Sequence, residues 1–172
     1  IVTGTENGGG AQVRIFNADG VLINPGFFGY DPAFRGGVNV TIGDLNGDGT
    51  NEIICGAGVG GGPHVRVFNK NGKLINPGFM AYEPAFRGGV NVSAADINGD
   101  GRDEIVTGPG KGGYTQIKVF DQDGAQIISP FYAFDSSEKN GVEVSAADLD
   151  GDGIAEIIAF TRDVFTLSGY NQ

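Results

Sequence analysis

The stretch Asp44-Leu45-Asn46-Gly47-Asp48-Gly49-Thr50-Asn51-Glu52 returns, with its acidic and glycine positions kept, at Asp96 to Glu104 and at Asp148 to Glu156. Each copy begins 52 residues after the one before it, and the shared spelling is Asp-x-Asn/Asp-Gly-Asp-Gly-x-x-Glu. Oxygens at loop positions 1, 3, 5 and 9, a backbone carbonyl at 7 and a glycine at 6 for the sharp bend can wrap a single hard cation, so the spacing has a mechanical reason. The sequence therefore predicts three calcium sites in a tandem repeat.

The period extends beyond the loops. Aligning Ile1, Ile53 and Ile105 superposes Gly4 on Gly56 and Gly108, Phe16 on Phe68 and Phe120, and Gly20 on Gly72 and Gly124. Repeats are read at 1–52, 53–104 and 105–156, with a partial copy at 157–172, all in one array. The first two copies share Pro-Ala-Phe-Arg-Gly-Gly-Val-Asn-Val, at Pro32 to Val40 and Pro84 to Val92. A period near 50 residues belongs to propeller blades or solenoids, whose units bury their apolar faces only by stacking on neighbours.

Four strands are read per unit. The first is Val38 to Ile42, repeated at Val90 to Ala94 and Val142 to Ala146, and the calcium loop follows it. The second leaves the loop at Glu52 to Cys55, the third is His64 to Phe68, and the fourth lies within Leu74 to Tyr82. Between the third and fourth, the turn Asn69 to Gly72 needs the positive φ that Gly72 supplies. No helical periodicity is present. The fold expected is all-β, with propeller-type blades of four antiparallel strands, and the metal pins the corner between the first two strands of each.

Composition fits a turn-rich β protein: 32 glycines in 172 residues, 12 Phe, no Trp, and no apolar run near the ~20 residues of a membrane helix. A formal net charge of −10 speaks against a nucleic-acid partner. About half of the acidic residues sit in the three loops, and three Ca²⁺ ions would bring −10 to −4. Loops of this kind fill where calcium is plentiful, so the expected location is extracellular or at the cell surface. The lone Cys55 permits no internal disulfide and reads as a small buried strand residue. With Ile1 first and no Met, the chain reads as a mature form or a fragment, from which no signal peptide can be read.

The units resemble FG-GAP repeats, also called VCBS or integrin-α-type repeats, most clearly in Gly60-Gly-Gly-Pro-His-Val-Arg-Val-Phe68 and in Asp96-Ile97-Asn98-Gly99-Asp100-Gly101. The resemblance implies blades of extracellular, calcium-binding β-propellers that serve adhesion, carbohydrate recognition or protein recognition. It also implies a ligand set: Asp44, Asn46, Asp48 and Glu52; Asp96, Asn98, Asp100 and Glu104; and Asp148, Asp150, Asp152 and Glu156. Thr50, Arg102 and Ile154 would add backbone carbonyls. The family's commonest pattern carries Asp at the ninth position, whereas this chain carries Glu in all three. An EF-hand is rejected, because its twelfth-position Glu would fall on Cys55, Thr107 or Ala159.

Other motifs carry less. The run Gly56 to Gly60 has no helix behind it to bind a phosphate. His64 aligns with Gln12 and Gln116 and reads as an exposed edge residue, and no acid–base constellation emerges. Asn39-Val40-Thr41 and Asn91-Val92-Ser93 fit the glycosylation pattern but lie in the tightly packed first strand. Phe34 with Arg35 and Phe86 with Arg87 are read chiefly as loop packing, with a sugar-binding patch as the alternative.

Counted along the sequence, the chain opens on the second strand of one blade and reaches the third strand of another around Val164 to Leu167, about three and a half blades. Closed propellers have about four to eight. The array would thus close by oligomerisation, belong to a longer chain, or join end to end into a filament. The break in pattern at Phe160 to Phe165 reads as a capping unit. The function expected is non-enzymatic structural or adhesive assembly, with a propeller-type lectin as the alternative.

Overall fold

A computed structural model describes residues 1–161. It holds thirteen strands and, among these residues, no helix. The strands are β1 (Val2–Gly4), β2 (Gln12–Phe16), β3 (Leu22–Phe28), β4 (Val38–Gly43), β5 (Glu52–Ala57), β6 (His64–Phe68), β7 (Leu74–Met80), β8 (Val90–Ala95), β9 (Glu104–Pro109), β10 (Gln116–Phe120), β11 (Phe131–Tyr132), β12 (Glu143–Ala147) and β13 (Glu156–Phe160). Each sheet is an antiparallel meander in chain order: β1-β2-β3, β4-β5-β6-β7, β8-β9-β10-β11 and β12-β13. We call these blades 1 to 4. Among the described residues no sheet closes on itself. No described helix is long and apolar enough to cross a membrane.

The strand reading and the structure coincide closely in blade 2, where β4 pairs β5 from Val38↔Ala57 to Gly43↔Glu52 with the acidic loop as the connection. The fourth strand of blade 3 is the exception. β11 has two residues, against seven in β7, because Gln126 to Pro130 replaces the Leu-Ile-Asn-Pro-Gly of the earlier copies. The strand expected around Val164 to Leu167, most of the Phe160 to Phe165 stretch and most of the partial copy 157–172 lie outside the described residues.

Apolar packing sits between blades. One cluster joins Ala11, Val13 and Ile15 of blade 1 to Val38, Ile53, Cys55 and Phe68 of blade 2. A second joins Ile54, Val65 and Val67 of blade 2 to Val90, Ile105 and Phe120 of blade 3. A third sets Val106, Ile117 and Val119 of blade 3 against Val142, next to β12. Strands alternate their side chains between two faces, so each blade feeds both neighbours and has no core of its own.

Small residues allow the approach. A Cβ added at Gly4, Gly56 or Gly108 would lie 2.3, 2.4 or 2.3 Å from the carbonyl oxygen of Val38, Val90 or Val142 in the next blade. Along the same seam Asn39 Nδ2 donates to Val90 O and Asn91 Nδ2 to Val142 O, each at 2.8 Å. Both amide nitrogens that a glycan would need are therefore engaged in blade stacking. Tyrosines also tie the seams. Tyr30 Oη donates to Cys55 O or His64 O (2.7 and 2.6 Å), and Tyr82 Oη to Thr107 O or Gln116 O (both 2.9 Å). Burial raises both phenols well above their ordinary pKa.

Candidate metal centres

Each acidic loop is the corner between the first two strands of a blade, and its first aspartate is the hub. Asp44 Oδ1 accepts Gly47 N–H (2.8 Å) and Asp48 N–H (3.1 Å), while Oδ2 accepts Gly49 N–H (2.7 Å). Asp96 repeats this with Gly99, Asp100 and Gly101 at 2.7, 3.2 and 2.8 Å. Asp148 holds Gly151 and Gly153 at 2.7 and 3.0 Å. Further along, Asn46 Oδ1 accepts Asp48 N–H and Asp48 Oδ1 accepts Thr50 N–H, with equivalents in the other loops.

This wrapping needs two left-handed residues. The glycine at position 6 has φ of 81°, 84° and 91° in Gly49, Gly101 and Gly153, as the bend requires. Position 4 matches it, with 75°, 77° and 82° in Gly47, Gly99 and Gly151. That second requirement is legible in the thrice-repeated Gly.

The ninth residue closes the loop from behind. Glu52 Oε2 accepts Leu45 N–H (3.2 Å) and Asn46 Nδ2–H (3.3 Å). Glu104 accepts Ile97 N–H and Asn98 Nδ2–H, both at 2.9 Å, and Glu156 accepts Leu149 N–H at 2.9 Å. Glu52 and Glu104 are buried, whereas Glu156 is exposed. Burial first, then the nearby Asp48 and Asp44 charges, push the Glu52 carboxyl above its ordinary value, and the Leu45 N–H only partly offsets them. Glu104 is raised in the same way by burial and by Asp100 and Asp96. Asp44 goes the other way: partial desolvation would raise it, but the N–H groups of Gly49, Gly47 and Asp48 carry it below the usual carboxylate value. The hub is thus kept anionic while the buried Glu lacks a counter-charge.

The donor chemistry fits a hard divalent cation. Among the described residues, ligating oxygens of Asp148, Asp150 and Glu156 lie within 4.8 Å of one another. Two oxygens bound to one calcium at about 2.3–2.6 Å stand at most about 5 Å apart, so this spread is compatible with a shared ion. Loops 1 and 2 carry Asn46 and Asn98 where loop 3 has Asp150. Their amide nitrogens bond the closing Glu, so those loops bring fewer carboxylates together. Asp152, Thr50, Arg102 and Ile154 lie on the same loop rims, exposed.

Adjacent loops also touch. The second-position Leu45 is buried in the cluster between blades 2 and 3, and Ile97 packs on the cluster beyond. The seventh-position side chains reach back over the preceding loop. Arg102 Cγ comes 3.3 Å from where a Cβ on Gly47 would be, and Ile154 Cγ1 3.1 Å from one on Gly99.

The remaining candidates resolve into packing. His64 is half-buried rather than exposed, its ring centroid 5.9 Å from that of Tyr30, because the Tyr30 hydroxyl draws that ring across the start of β6. Burial first, and then the Arg66 charge, lower its pKa. Cys55 is fully buried, which pushes its thiol up to about 12. Gly58 lies where a Cβ would meet Gly36 O at 1.9 Å, so the glycine run is a blade contact with no phosphate cradle. Arg35 and Arg87 fold back onto the carbonyls of Pro32 and Pro84, and Gly8 and Gly60 donate to Arg35 O and Arg87 O across the seam. Phe34 joins the cluster between blades 1 and 2. The backbone of these segments and Phe34 take part in stacking, while the Arg35 and Arg87 side chains stay exposed.

The model for the FG-GAP-like repeat matches residues 44–107 and again residues 96–159, together more than half of the chain. Each match begins at the first aspartate of one loop and ends just past the next loop. No solved structure matches the chain.

Proposed function

From the premise that the chain belongs to the FG-GAP-like repeat family, we propose that it is a non-enzymatic, calcium-stabilised, extracellular or surface repeat module whose work is structural or adhesive assembly. The ligands would be Asp44, Asn46, Asp48 and Glu52 with the Thr50 carbonyl; Asp96, Asn98, Asp100 and Glu104 with that of Arg102; and Asp148, Asp150, Asp152 and Glu156 with that of Ile154. The repeats would run 1–52, 53–104, 105–156 and 157–172. One observation carries the reading: three loops share one carboxylate-centred wrap, and each stands at a seam between blades. A cation there supplies charge that the buried Glu52 and Glu104 lack, and it stiffens the corners on which the stack depends.

Among the described residues, blade 4 carries exposed apolar side chains. Leu149 is 64% exposed and Phe160 49%, whereas Leu45, the equivalent of Leu149, is 4% exposed with a blade beyond it. Self-association through such a face would give a homo-oligomer or filament. The test is light scattering and electron microscopy of the purified chain in millimolar calcium and after chelation. Large or ring-like particles that need calcium support the proposal. A discrete monomer in both conditions, or elemental analysis without bound calcium, overturns it.

A further inference from the structure

The eighth loop residue is no ligand, yet it makes the bonds that join one loop to the next. Asp103 N–H donates to Asp44 O at 2.9 Å, and Asp44 N–H donates back to Asp103 Oδ2 at 2.9 Å. In the next seam Ala155 N–H donates to Asp96 O at 2.7 Å. The residue before the hub matches its partner in size. Gly43, where an added Cβ would meet Asp103 Oδ2 at 2.8 Å, faces the carboxylate, while Ala95 occupies that place in the seam that has Ala155. The first seam thus has two bonds to the hub backbone and the second has one.

The donating peptide belongs to both loops. The Arg102–Asp103 peptide is planar and trans, since no cis bond is present, so its carbonyl points opposite to the N–H that reaches Asp44. That carbonyl is the seventh-position oxygen of loop 2. A peptide whose oxygen is drawn to a cation becomes a stronger N–H donor, because hydrogen-bonded chains polarise one another. The acceptor it tightens upon is the backbone of Asp44, whose carboxylate holds three N–H groups of loop 1. The Ile154–Ala155 peptide stands in the same relation to loop 3 and Asp96.

We propose that these shared peptides couple adjacent calcium loops, so that filling one raises the affinity of the loop before it, and that Asp103 is the positioning residue that makes the first seam the stronger coupler. This rests on the calcium reading above. Filling then runs cooperatively along the array, and the stack stiffens over a narrow range of calcium concentration.

The test is a thermodynamic cycle on the full chain, titrated with calcium alone by calorimetry. Loop 1 affinity is measured with loop 2 intact and with loop 2 disabled by Asp100→Ala, each with Asp103, with Asp103→Ala and with Asp103→Asn. Disabling loop 2 should weaken loop 1 by about fivefold or more when Asp103 is present, the usual lower bound for coupled sites. With Asp103→Ala the effect should shrink and the Hill coefficient fall. Asp103→Asn keeps an oxygen to accept Asp44 N–H and should restore it, whereas Asp103→Leu, of similar size but with no acceptor, should not. Three ions bound with loop 1 indifferent to loop 2 would overturn the coupling and leave the calcium reading standing. No calcium bound by the unaltered chain would overturn both. If Asp103→Ala does not fold, Asp103→Asn against Asp103→Leu, each with loop 2 on and off, decides alone, and equal coupling in the two overturns the role given to Asp103.

Discussion

Replacing Gly56 by alanine should open the seam between blades 2 and 3, and the geometry sets the cost. The added Cβ would lie 2.4 Å from Val90 O and 3.1–3.2 Å from methyl groups of Val92 and Val90, all in β8. Carbon meets a carbonyl oxygen at about 3.3–3.6 Å, so the two backbones must part by roughly 1 Å. A gap of that size forfeits a quarter to a half of each dispersion contact across the buried face. It also stretches the 2.8 Å bond from Asn39 Nδ2 to Val90 O. Overpacking of this kind costs about 1–3 kcal/mol, and a clash between two main chains belongs at the upper end. For a chain of this length each kcal/mol moves Tm by about 2–4 °C, so a loss of about 6–12 °C is expected in calcium-containing buffer by circular dichroism. The matched control is Gly62→Ala. There the nearest atoms are Met80 Sδ and Cε at 3.7 and 3.8 Å, and φ is not positive, so the new methyl meets only ordinary contact. Lower entropy of the unfolded chain should then leave stability unchanged or raise it by about 0.4–1 kcal/mol. Since alanine is also the better strand residue, a loss at position 56 alone can only come from the seam. Equal melting of Gly56→Ala and the unaltered protein, or equal losses in both variants, would refute the stacking argument.

Chelation should lower Tm by many degrees, since a ligand held at ~1000-fold its dissociation constant contributes about 4 kcal/mol per site, and a melt indifferent to EDTA would rule that out. Asp150→Asn should give loop 3 the ligand pattern of loops 1 and 2 and weaken the loop 3 ion most, with a smaller loss at loop 2 through the shared peptide, read by calorimetry; equal weakening of all three would contradict it. Cys55, with its thiol pushed up to about 12, should resist a thiol reagent at pH 8 in the folded state and react fully in denaturant, so labelling of native protein would count against its burial. His64 has a folded pKa below its unfolded value of about 6.5, so the unfolded chain binds more protons and stability falls as pH drops below that value. His64→Gln, the residue of the other copies, should flatten Tm against pH between about 6.5 and 5, and an unchanged slope would show that the imidazole is not responsible.

What could be read from sequence followed from repetition. Three copies of one loop at a constant interval carry both the acidic corners and the strand register, because the residues flanking each loop must pair across it: Gly43 with Glu52 and Val38 with Ala57. What could not be read was what the repeats do to each other. Gly4, Gly56 and Gly108 align perfectly, but nothing in an alignment says that a neighbour's carbonyl fills the space of the missing Cβ. His64 was misplaced for a related reason, since its partner Tyr30 lies 34 residues away on another blade. Asp103 stayed unremarked because position 8 varies among the copies (Asn51, Asp103, Ala155), and a varying position inside a repeated motif looks like free surface.

That variation is better read as directional. The backbone link at position 8 is available to any residue with an N–H, but a side chain that also reaches the hub needs a carboxylate on one blade and a glycine on the one before. Only the pair Gly43 and Asp103 meets both conditions, and Ala95 with Ala155 meets neither. Blades built from one repeat are therefore joined by unlike seams, and the array has a stiffer and a softer junction along its length. If calcium governs how well the blades stack, depletion should loosen the seam between blades 3 and 4 before the one between blades 2 and 3. Hydrogen exchange of Ala155 and Asp103 amides, followed at falling free calcium, reads the two seams separately. Ala155 should lose protection first, and the reverse order would show that the number of bonds at the hub does not decide which junction yields.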